Sequence, residues 1–268
     1  MAARSYLYVP GDRPDRLEKA LARAGDAVIA DLEDAVPAAH KEAALGHVLA
    51  WLPSVPAGTE AWVRVPAGSP DVLAALAGAA RLDGVLLAKA SLAGVAQACA
   101  ALPASVALAG LVETAQGVLE LPALAAACSR LGIGEADLAA ELGIAPDELA
   151  VLGPIRAQVV VASAAAALPG PTGPVHLDVR DLDGLRESTV ALQRAGFGAR
   201  SAIHPDQVAV IEDVFTPSAD EVARARSVVD RWDASGGGVA VDERGRMVDE
   251  AVIRLARRVV ATADRLGL

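Results

Sequence analysis

The feature that most constrains the fold is a regular alternation of short apolar runs with longer stretches of helical period. Such alternation is typical of βα units around a parallel sheet. Eight runs resemble strands, and eight parallel strands close a (β/α)8 barrel. We therefore predict an α/β fold of the TIM (β/α)8 barrel type. In chain order the runs are SYLYVP, AVIADLED, AWVRVP, GVLLAK, VALAGLVE, LGIGEAD, PVHLDV and SAIHP.

The chain is long enough for one barrel and a short addition. It has 268 residues, of which 53% are hydrophobic, so a large core can be buried. We predict a barrel domain over residues 1–215 and a C-terminal helical extension over 216–268 that completes the site or a subunit interface. The extension reads as a helix, a Gly-rich hinge at 236–238, a turn-like DERGR and a final helix. Such a tail favours an oligomer.

Composition argues against several classes of protein. The net charge of −10, from 34 acidic and 24 basic residues, argues against nucleic-acid binding. No apolar run reaches the roughly 20 residues that span a bilayer, so we expect no membrane partner. Cys99 and Cys128 lie in alanine-rich surroundings without metal-like spacing, and we predict two buried, reduced thiols in a cytoplasmic protein.

Polar residues recur at the C-terminal ends of the predicted strands. In a (β/α)8 barrel this end carries the active site, whereas the opposite end serves stability. The distribution therefore predicts a site at the barrel mouth. The residues are Asp12 and Arg13 after the first run, Asp31, Glu33 and Asp34 on the second, Arg64 on the third, Lys89 on the fourth, Glu113 on the fifth and Asp137 on the sixth.

Glu113 and Asp137 form the candidate metal site. If they end adjacent strands, two carboxylates converge in a partly dry mouth, which is unfavourable unless a cation offsets them. Oxygen ligands without His or Cys select a hard ion, Mg²⁺ first, with Mn²⁺ possible. Alternatively, each acid pairs with an arginine or caps a helix. Capping is plausible for Asp137, which precedes LAAEL, but poor for Glu113, because Glu is not a favoured N-cap residue.

The DLEDAV stretch places three acids near Arg64. Asp31, Glu33 and Asp34 are predicted to hydrogen-bond metal-bound waters or Arg64, rather than to bind the metal themselves. The alternative is an acidic strand exit in which Asp34 caps the next helix. Arg64 lies late in its strand and can hold a carboxylate or an enolate oxygen through two parallel hydrogen bonds. Pairing of Arg64 with DLED is compatible with that role.

Two further segments carry candidate polar groups. In YVPGDRPDRLEKA, Gly11 allows a bend and a helix begins near Pro14, an arrangement that resembles a phosphate-binding turn. Arg13 and Lys19 add positive charge there, although basic residues on a surface helix are more often simply solvated. His204, in AIHPDQV, is interpreted as making a structural hydrogen bond in a fixed turn rather than acting as a general base.

Six ordered motifs together resemble one known family. YVPGDRP, DLEDAV, VRV, LVETAQGV, GEADLAAELG and AIHPDQV, with RMVDEAV near the C-terminus, are similar in order and spacing to the HpcH/HpaI aldolase and citrate lyase superfamily, specifically its stand-alone citrate lyase β-subunit-like (CitE-like) members. The resemblance spans nearly the whole chain. It implies a TIM barrel, usually a homotrimer or hexamer, that uses Mg²⁺ to break or make the carbon–carbon bond of a 3-hydroxyacyl thioester.

The resemblance also implies roles for single residues. Glu113 and Asp137 match the metal-binding acids, and Arg64, with Glu113, matches the groups that contact substrate. Asp249 matches a general acid/base that reaches a neighbouring subunit's site, and Arg13 and Lys19 lie in the segment that faces the CoA phosphates. The expected activity is that of a lyase acting on malyl-, citramalyl-, citryl- or hydroxymethylglutaryl-CoA. The alternatives are a metal-dependent acyl-CoA thioesterase and a non-catalytic subunit that binds CoA or an acyl carrier.

Overall fold

Eight parallel strands form a closed barrel in the computed structural model, which describes residues 3–23, 25–236, 240–241, 245 and 247–268. The strands pair in chain order, and the first also pairs with the last, Ser5 opposite Arg200. This arrangement confirms the predicted TIM barrel. The strands are β1 (Ser5–Pro10), β2 (Ala27–Asp31), β3 (Glu60–Val65), β4 (Gly84–Leu87), β5 (Ala107–Val112), β6 (Arg130–Ile133), β7 (Thr172–Gly173) and β8 (Ala199–Ala202).

Helices follow the strands and cover the outside of the barrel. Those of the first 212 residues are α1 (Pro14–Leu21), α2 (Lys41–Trp51), α3 (Pro70–Leu76), α4 (Leu92–Ala101), α5 (Ala115–Leu119), α6 (Leu121–Ala127), α7 (Glu135–Leu142), α8 (Leu149–Ala165) and α9 (Leu182–Arg194), with α10 (Pro205–Phe215) beginning there. No helix in the described part of the chain is long and apolar enough to cross a membrane.

Two predicted strands were placed incorrectly. β7 has only two residues and precedes the predicted run PVHLDV, which is irregular chain. Pro171 and Pro174 flank it, and because proline has no N–H to donate, the ladder cannot continue through either position. β6 ends at Ile133 and α7 begins at Glu135, so Asp137 lies in the first turn of a helix and not at a strand end.

The barrel interior is packed with apolar side chains from alternate strand positions. The rings of Tyr6 and Trp62 meet edge to face, with centroids 5.7 Å apart. A Cβ at Gly84 would lie 2.3 Å from the Trp62 ring, so only glycine at this position leaves room for the indole. Strand β2 is buried along its whole length, as expected when one face packs inward and the other against helices.

The chain divides into two compact units, Met1–Glu212 and Asp213–Leu268. The division falls within α10, which the predicted boundary after residue 215 left whole. The second unit contains α11 (Ala219–Ala234), α12 (Glu250–Leu266) and a two-stranded antiparallel pair, β9 (Ala240–Val241) and β10 (Met247–Val248). Most of the predicted hinge at 236–238 and most of the DERGR turn lie outside the described residues.

The two cysteines differ in environment. Cys128 is buried, as predicted, whereas Cys99 is exposed on α4, so the prediction of a second buried thiol was wrong. Alanine-rich surroundings indicate a helix but do not reveal which face of that helix points outward.

Candidate active site

A cavity of ≈ 390 Å³ opens where the barrel strands end. Its wall combines apolar side chains, such as Ile133 and Val175, with a group of charged ones. This is the end of a (β/α)8 barrel at which active sites are built. The charged residues that line it are Asp31, Asp34, Arg64, Glu113, Glu135 and Asp137.

Glu113 directly follows β5 and is almost fully buried, with 1% of its surface exposed. Its Oε1 accepts a hydrogen bond from the backbone N–H of Lys89 at 2.7 Å. The other oxygen, Oε2, has no protein donor among the described residues. Glu113 lines the cavity, so this oxygen is available to water or to a cation.

Gly134 makes room for the Glu113 carboxylate. Val112 and Ile133 are register partners in β5 and β6, so Glu113 and Gly134 are the next residues along the two strands. A Cβ at position 134 would lie 2.4 Å from Oε2 and 2.7 Å from Cβ of Glu113, so any other residue here would force the Glu113 side chain to move. The glycine before α7 therefore allows the carboxylate to lie between the ends of the two strands.

Asp137 lies close enough to Glu113 to affect its ionisation. Burial, together with the nearby charge of Asp137, raises the pKa of Glu113 to about 7, against the lowering effect of the Lys89 N–H. Asp137 is half-buried in the first turn of α7, and it has no hydrogen bond or ion pair to a described residue. The structure thus brings together the two acids that the sequence singled out.

These two acids fit a divalent cation. Their oxygens are hard ligands, and their mutual repulsion in a buried site falls when a cation binds between them. Within the described residues no cluster of three or more His, Cys, Asp or Glu side chains could hold a metal ion. The protein would therefore supply two carboxylates, and the remaining coordination positions would be open to water and substrate, as a catalytic Mg²⁺ site requires.

Arg64 is held by Asp31 on the neighbouring strand, because the two residues are register partners in β3 and β2. The guanidinium donates from Nε and Nη2 to the two Asp31 oxygens at 2.7 and 2.6 Å. Burial lowers the pKa of Arg64, but the Asp31 hydrogen bonds and charge outweigh this effect, and the pKa lies above its ordinary value. Tyr8 lies beneath it, with the guanidinium carbon 5.0 Å from the ring centroid. Because Asp31 occupies the Nε–Nη2 edge of Arg64, that edge cannot also form a bidentate contact with substrate.

Glu33 joins Arg64 to Lys89. Its Oε2 lies 3.2 Å from Arg64 Nη1, and its Oε1 accepts from Lys89 Nζ at 2.6 Å. Asp34 is exposed and lies 3.9 Å from Arg64 Nη1 and 3.8 Å from Lys89 Nζ. The three acids of this stretch therefore lie around Arg64, and Glu33 and Asp34 also lie near Lys89.

Glu135 was not identified from the sequence, although it lies two residues before Asp137. It is buried in the cavity wall and forms a bidentate ion pair with Arg156 of α8. Nε and Nη2 of Arg156 donate to the two Glu135 oxygens, Nη2 at 2.6 Å. Because Arg156 already neutralises it, Glu135 is a poorer candidate for a metal ligand than Asp137. The GEAD stretch alone does not distinguish the two acids.

The remaining candidates lie away from this cavity or in the second unit. Arg13 pairs with Asp15 at 3.0 Å, Lys19 is exposed on α1, and neither lines the cavity. Their contact with CoA stays a prediction.

Nδ1 of His204 accepts the Asp206 N–H at 3.2 Å, which supports the structural interpretation. In the second unit, Asp249 caps α12, where its Oδ1 accepts from the N–H groups of Ala251 and Val252.

The raised pKa of Glu113 predicts that the metal-free protein loses stability as pH rises. The native carboxyl titrates near 7 and the unfolded one near its ordinary 4.5, so the native state holds more protons in this window. The free energy of unfolding should therefore fall between these two pH values, by up to about 3 kcal/mol, and level off above. Urea unfolding of the wild type and of Glu113→Gln, in chelator, isolates this contribution as their difference. A difference that is constant from pH 4.5 to 8 would contradict the prediction.

The chain is similar to several known proteins. Residues 4–205 match the HpcH/HpaI aldolase/citrate lyase family. The chain is 35% identical to a (3S)-malyl-CoA thioesterase from Cereibacter sphaeroides (98% of this chain, 95% of the relative). It is 29% identical to an L-malyl-CoA/β-methylmalyl-CoA lyase from Rhodobacter capsulatus (97% and 94%). The crystal structure of CitE from Mycobacterium tuberculosis with magnesium, acetoacetate and coenzyme A superposes with a TM-score of 0.81 at 34% identity, covering 98% of both chains.

Proposed function

Because the chain belongs to the HpcH/HpaI aldolase/citrate lyase family, we propose that it is a Mg²⁺-dependent carbon–carbon lyase acting on a 3-hydroxyacyl thioester of coenzyme A. The reaction would release an oxo acid and a shorter acyl thioester, the oxo acid being a 2-oxo acid except from hydroxymethylglutaryl-CoA, which would give a 3-oxo acid. The observation that carries the proposal is the pair Glu113 and Asp137, whose unmatched carboxylate oxygens lie in a cavity that also contains Arg64. Candidate substrates are malyl-, citramalyl-, citryl- and hydroxymethylglutaryl-CoA.

Glu113 and Asp137 would hold the cation. When bound, Mg²⁺ supplies Lewis-acid polarisation of substrate oxygens, which makes a hydroxyl group more acidic. The CitE relative, complexed with magnesium, acetoacetate and coenzyme A, supports the same ion and the same class of substrate here. The backbone N–H of Lys89 contributes by holding Oε1 of Glu113, which leaves Oε2 available to the cation.

Arg64 would stabilise the negative charge that develops on the thioester oxygen as the carbon–carbon bond breaks. Asp31 binds one edge of the guanidinium and fixes its plane. With Glu33 beside Nη1, one N–H on Nη1 and one on Nη2 remain for the substrate. A donor that is already oriented needs no rearrangement at the moment of reaction, and one such donor is typically worth about 3 to 4 kcal/mol.

Asp249 would transfer the proton to or from the thioester's α-carbon, acting in the site of a neighbouring subunit of a homotrimer or hexamer. Its Oδ1 is engaged by two N–H groups at the start of α12, so Oδ2 is the atom that would carry the proton. Positioned acid/base groups typically contribute about 10²- to 10⁴-fold to a rate. This role follows from the position of Asp249 in the RMVDEAV motif.

We expect Asp249→Asn to lower the rate of carbon–carbon cleavage by roughly a hundredfold or more and to leave Mg²⁺ affinity unchanged. Asparagine is a good N-cap residue, so α12 should remain intact. Steady-state kinetics and calorimetric Mg²⁺ titration on the same preparation separate the two effects. Asp233→Asn, an exposed acid on α11 of the same unit, is the matched control. A fully active Asp249→Asn protein would remove this residue from the mechanism.

Hydrolysis of the thioester is the second candidate, favoured by the 35% identity to a (3S)-malyl-CoA thioesterase. The same cation and Arg64 would serve a reaction in which water attacks the thioester carbonyl. The two activities leave different products from one substrate. A lyase gives an oxo acid and a shorter thioester, whereas a thioesterase gives the free hydroxy acid and CoA.

Mass-spectrometric product analysis tests the proposal. The four candidate thioesters are incubated with the purified protein and Mg²⁺, with chelator and Glu113→Gln as controls. We expect an oxo acid and a shorter thioester from at least one substrate, formed only with the divalent cation. Free hydroxy acid and CoA would select the thioesterase. No turnover of any thioester would favour the non-catalytic CoA- or carrier-binding subunit.

A further inference from the structure

Lys89 has a backbone conformation that is unusual for a residue with a side chain. Its φ of 48° lies in the left-handed region, which glycine adopts readily and other residues seldom do. The residues on either side are held by the neighbouring strands. The Ala88 N–H donates to Val65 O and the Ala90 N–H to Leu111 O, both at 3.0 Å. The chain therefore bridges β3 and β5 across this residue.

The left-handed turn redirects one backbone donor. Instead of joining the sheet, the N–H of Lys89 donates to Glu113 Oε1 at 2.7 Å. The side chain of the same residue runs to Glu33, where Nζ lies 2.6 Å from Oε1. Glu33 is in turn fixed by Arg64 Nη1 at 3.2 Å. One residue thus connects the candidate metal ligand to the acids around Arg64.

We propose that Lys89 is a positioning residue for the cation site: its left-handed backbone directs an N–H at Glu113, and its ion pair with Glu33 holds that backbone in place. Strained conformations cluster at functional sites and persist only where the surroundings hold them. Here the two flanking hydrogen bonds and the Glu33 ion pair provide that restraint. The inference rests on the proposed function, in which Glu113 binds Mg²⁺.

Three substitutions separate the backbone from the ammonium group. Lys89→Arg keeps a cation for Glu33, Lys89→Gly keeps an unstrained left-handed backbone, and Lys89→Ala keeps neither. Loss of a group that orients a metal ligand typically weakens metal binding by roughly 10- to 100-fold. We expect that loss in Lys89→Ala, near-wild-type affinity in Lys89→Arg, and an intermediate value in Lys89→Gly. The probe is Mg²⁺ alone, titrated calorimetrically without thioester.

Arg81 offers a matched control for strain itself. It is also a non-glycine cation in the left-handed region, with φ 64°, and it is paired with Asp83 at 3.1 Å. It does not line the cavity. Arg81→Ala and Lys89→Ala should both lower the denaturation midpoint, and Arg81→Ala should leave the Mg²⁺ dissociation constant unchanged. A purely structural role for Lys89 would make the two alanine variants behave alike.

The outcomes are distinguishable from failure of the proposed function. If the wild-type protein binds no Mg²⁺, or Glu113→Gln binds it equally well, the proposed cation site is wrong. If the wild type binds Mg²⁺ through Glu113 but Lys89→Ala binds it with wild-type affinity, only the role of Lys89 fails. Equal weakening in Lys89→Ala and Lys89→Gly would assign the effect to the ammonium alone and would overturn the role of the backbone.

Discussion

Glu113→Gln is expected to lower the rate of thioester cleavage by roughly a thousandfold or more, because a catalytic cation is worth several kcal/mol and each 1.4 kcal/mol is a factor of ten. The neutral amide keeps the shape of the side chain and can still accept the Lys89 N–H. It cannot bind a divalent ion as a carboxylate does. Removing a buried charge should leave the metal-free protein folded, and at neutral pH at least as stable as the wild type.

Turnover with a thioester from the panel and calorimetric Mg²⁺ titration measure the two effects in one preparation. Glu141→Gln is the matched control, because Glu141 is an exposed acid on α7, the helix that carries Asp137. This control should retain both activity and Mg²⁺ binding. Full turnover by Glu113→Gln in the presence of chelator would remove the metal from the mechanism.

Arg64→Met is expected to destabilise the protein by about 3 to 5 kcal/mol, because it leaves a buried charge without its partner. Asp31 is 1% exposed and would lose both hydrogen bonds from the guanidinium. The same substitution should lower turnover by roughly a hundredfold or more, since it removes the donor proposed to stabilise the developing oxyanion. Urea unfolding and steady-state kinetics give the two quantities.

The double variant Asp31→Asn, Arg64→Met separates stability from catalysis. Asparagine carries no charge, and its oxygen can still accept from the N–H of Glu33 or Ala35, as Asp31 does. We expect the double variant to recover more than half of the lost unfolding free energy and none of the lost activity. An Arg64→Met protein that is both stable and fully active would show that the ion pair has neither role.

The sequence was enough to predict the barrel fold and the contacts between residues on consecutive strands. Eight apolar runs predicted eight strands because parallel strands buried on both faces need continuous apolar residues. Glu113 stood out because it ends such a run. The pairing of Arg64 with DLED was anticipated because both lie late in consecutive strands, and consecutive strands of a barrel are neighbours.

Other features depend on tertiary structure that the local sequence does not encode. The helix that carries Asp137 begins two residues before it, directly after Gly134, which lies against the Glu113 side chain. The ion pair between Glu135 and Arg156 joins α7 to α8 across a 21-residue separation. The left-handed backbone of Lys89 has no signal in LLAKAS, because glycine is the residue that usually marks such a conformation.

The most direct test is a crystal structure of the protein grown with Mn²⁺, in which anomalous scattering locates the ion independently of the refined coordinates. We predict one strong anomalous peak within about 2.0–2.3 Å of oxygens from both Glu113 and Asp137, since hard cations bind carboxylates at such distances. A protein that is active with Mn²⁺ but has no peak between these two carboxylates, or binds the ion elsewhere, would contradict it.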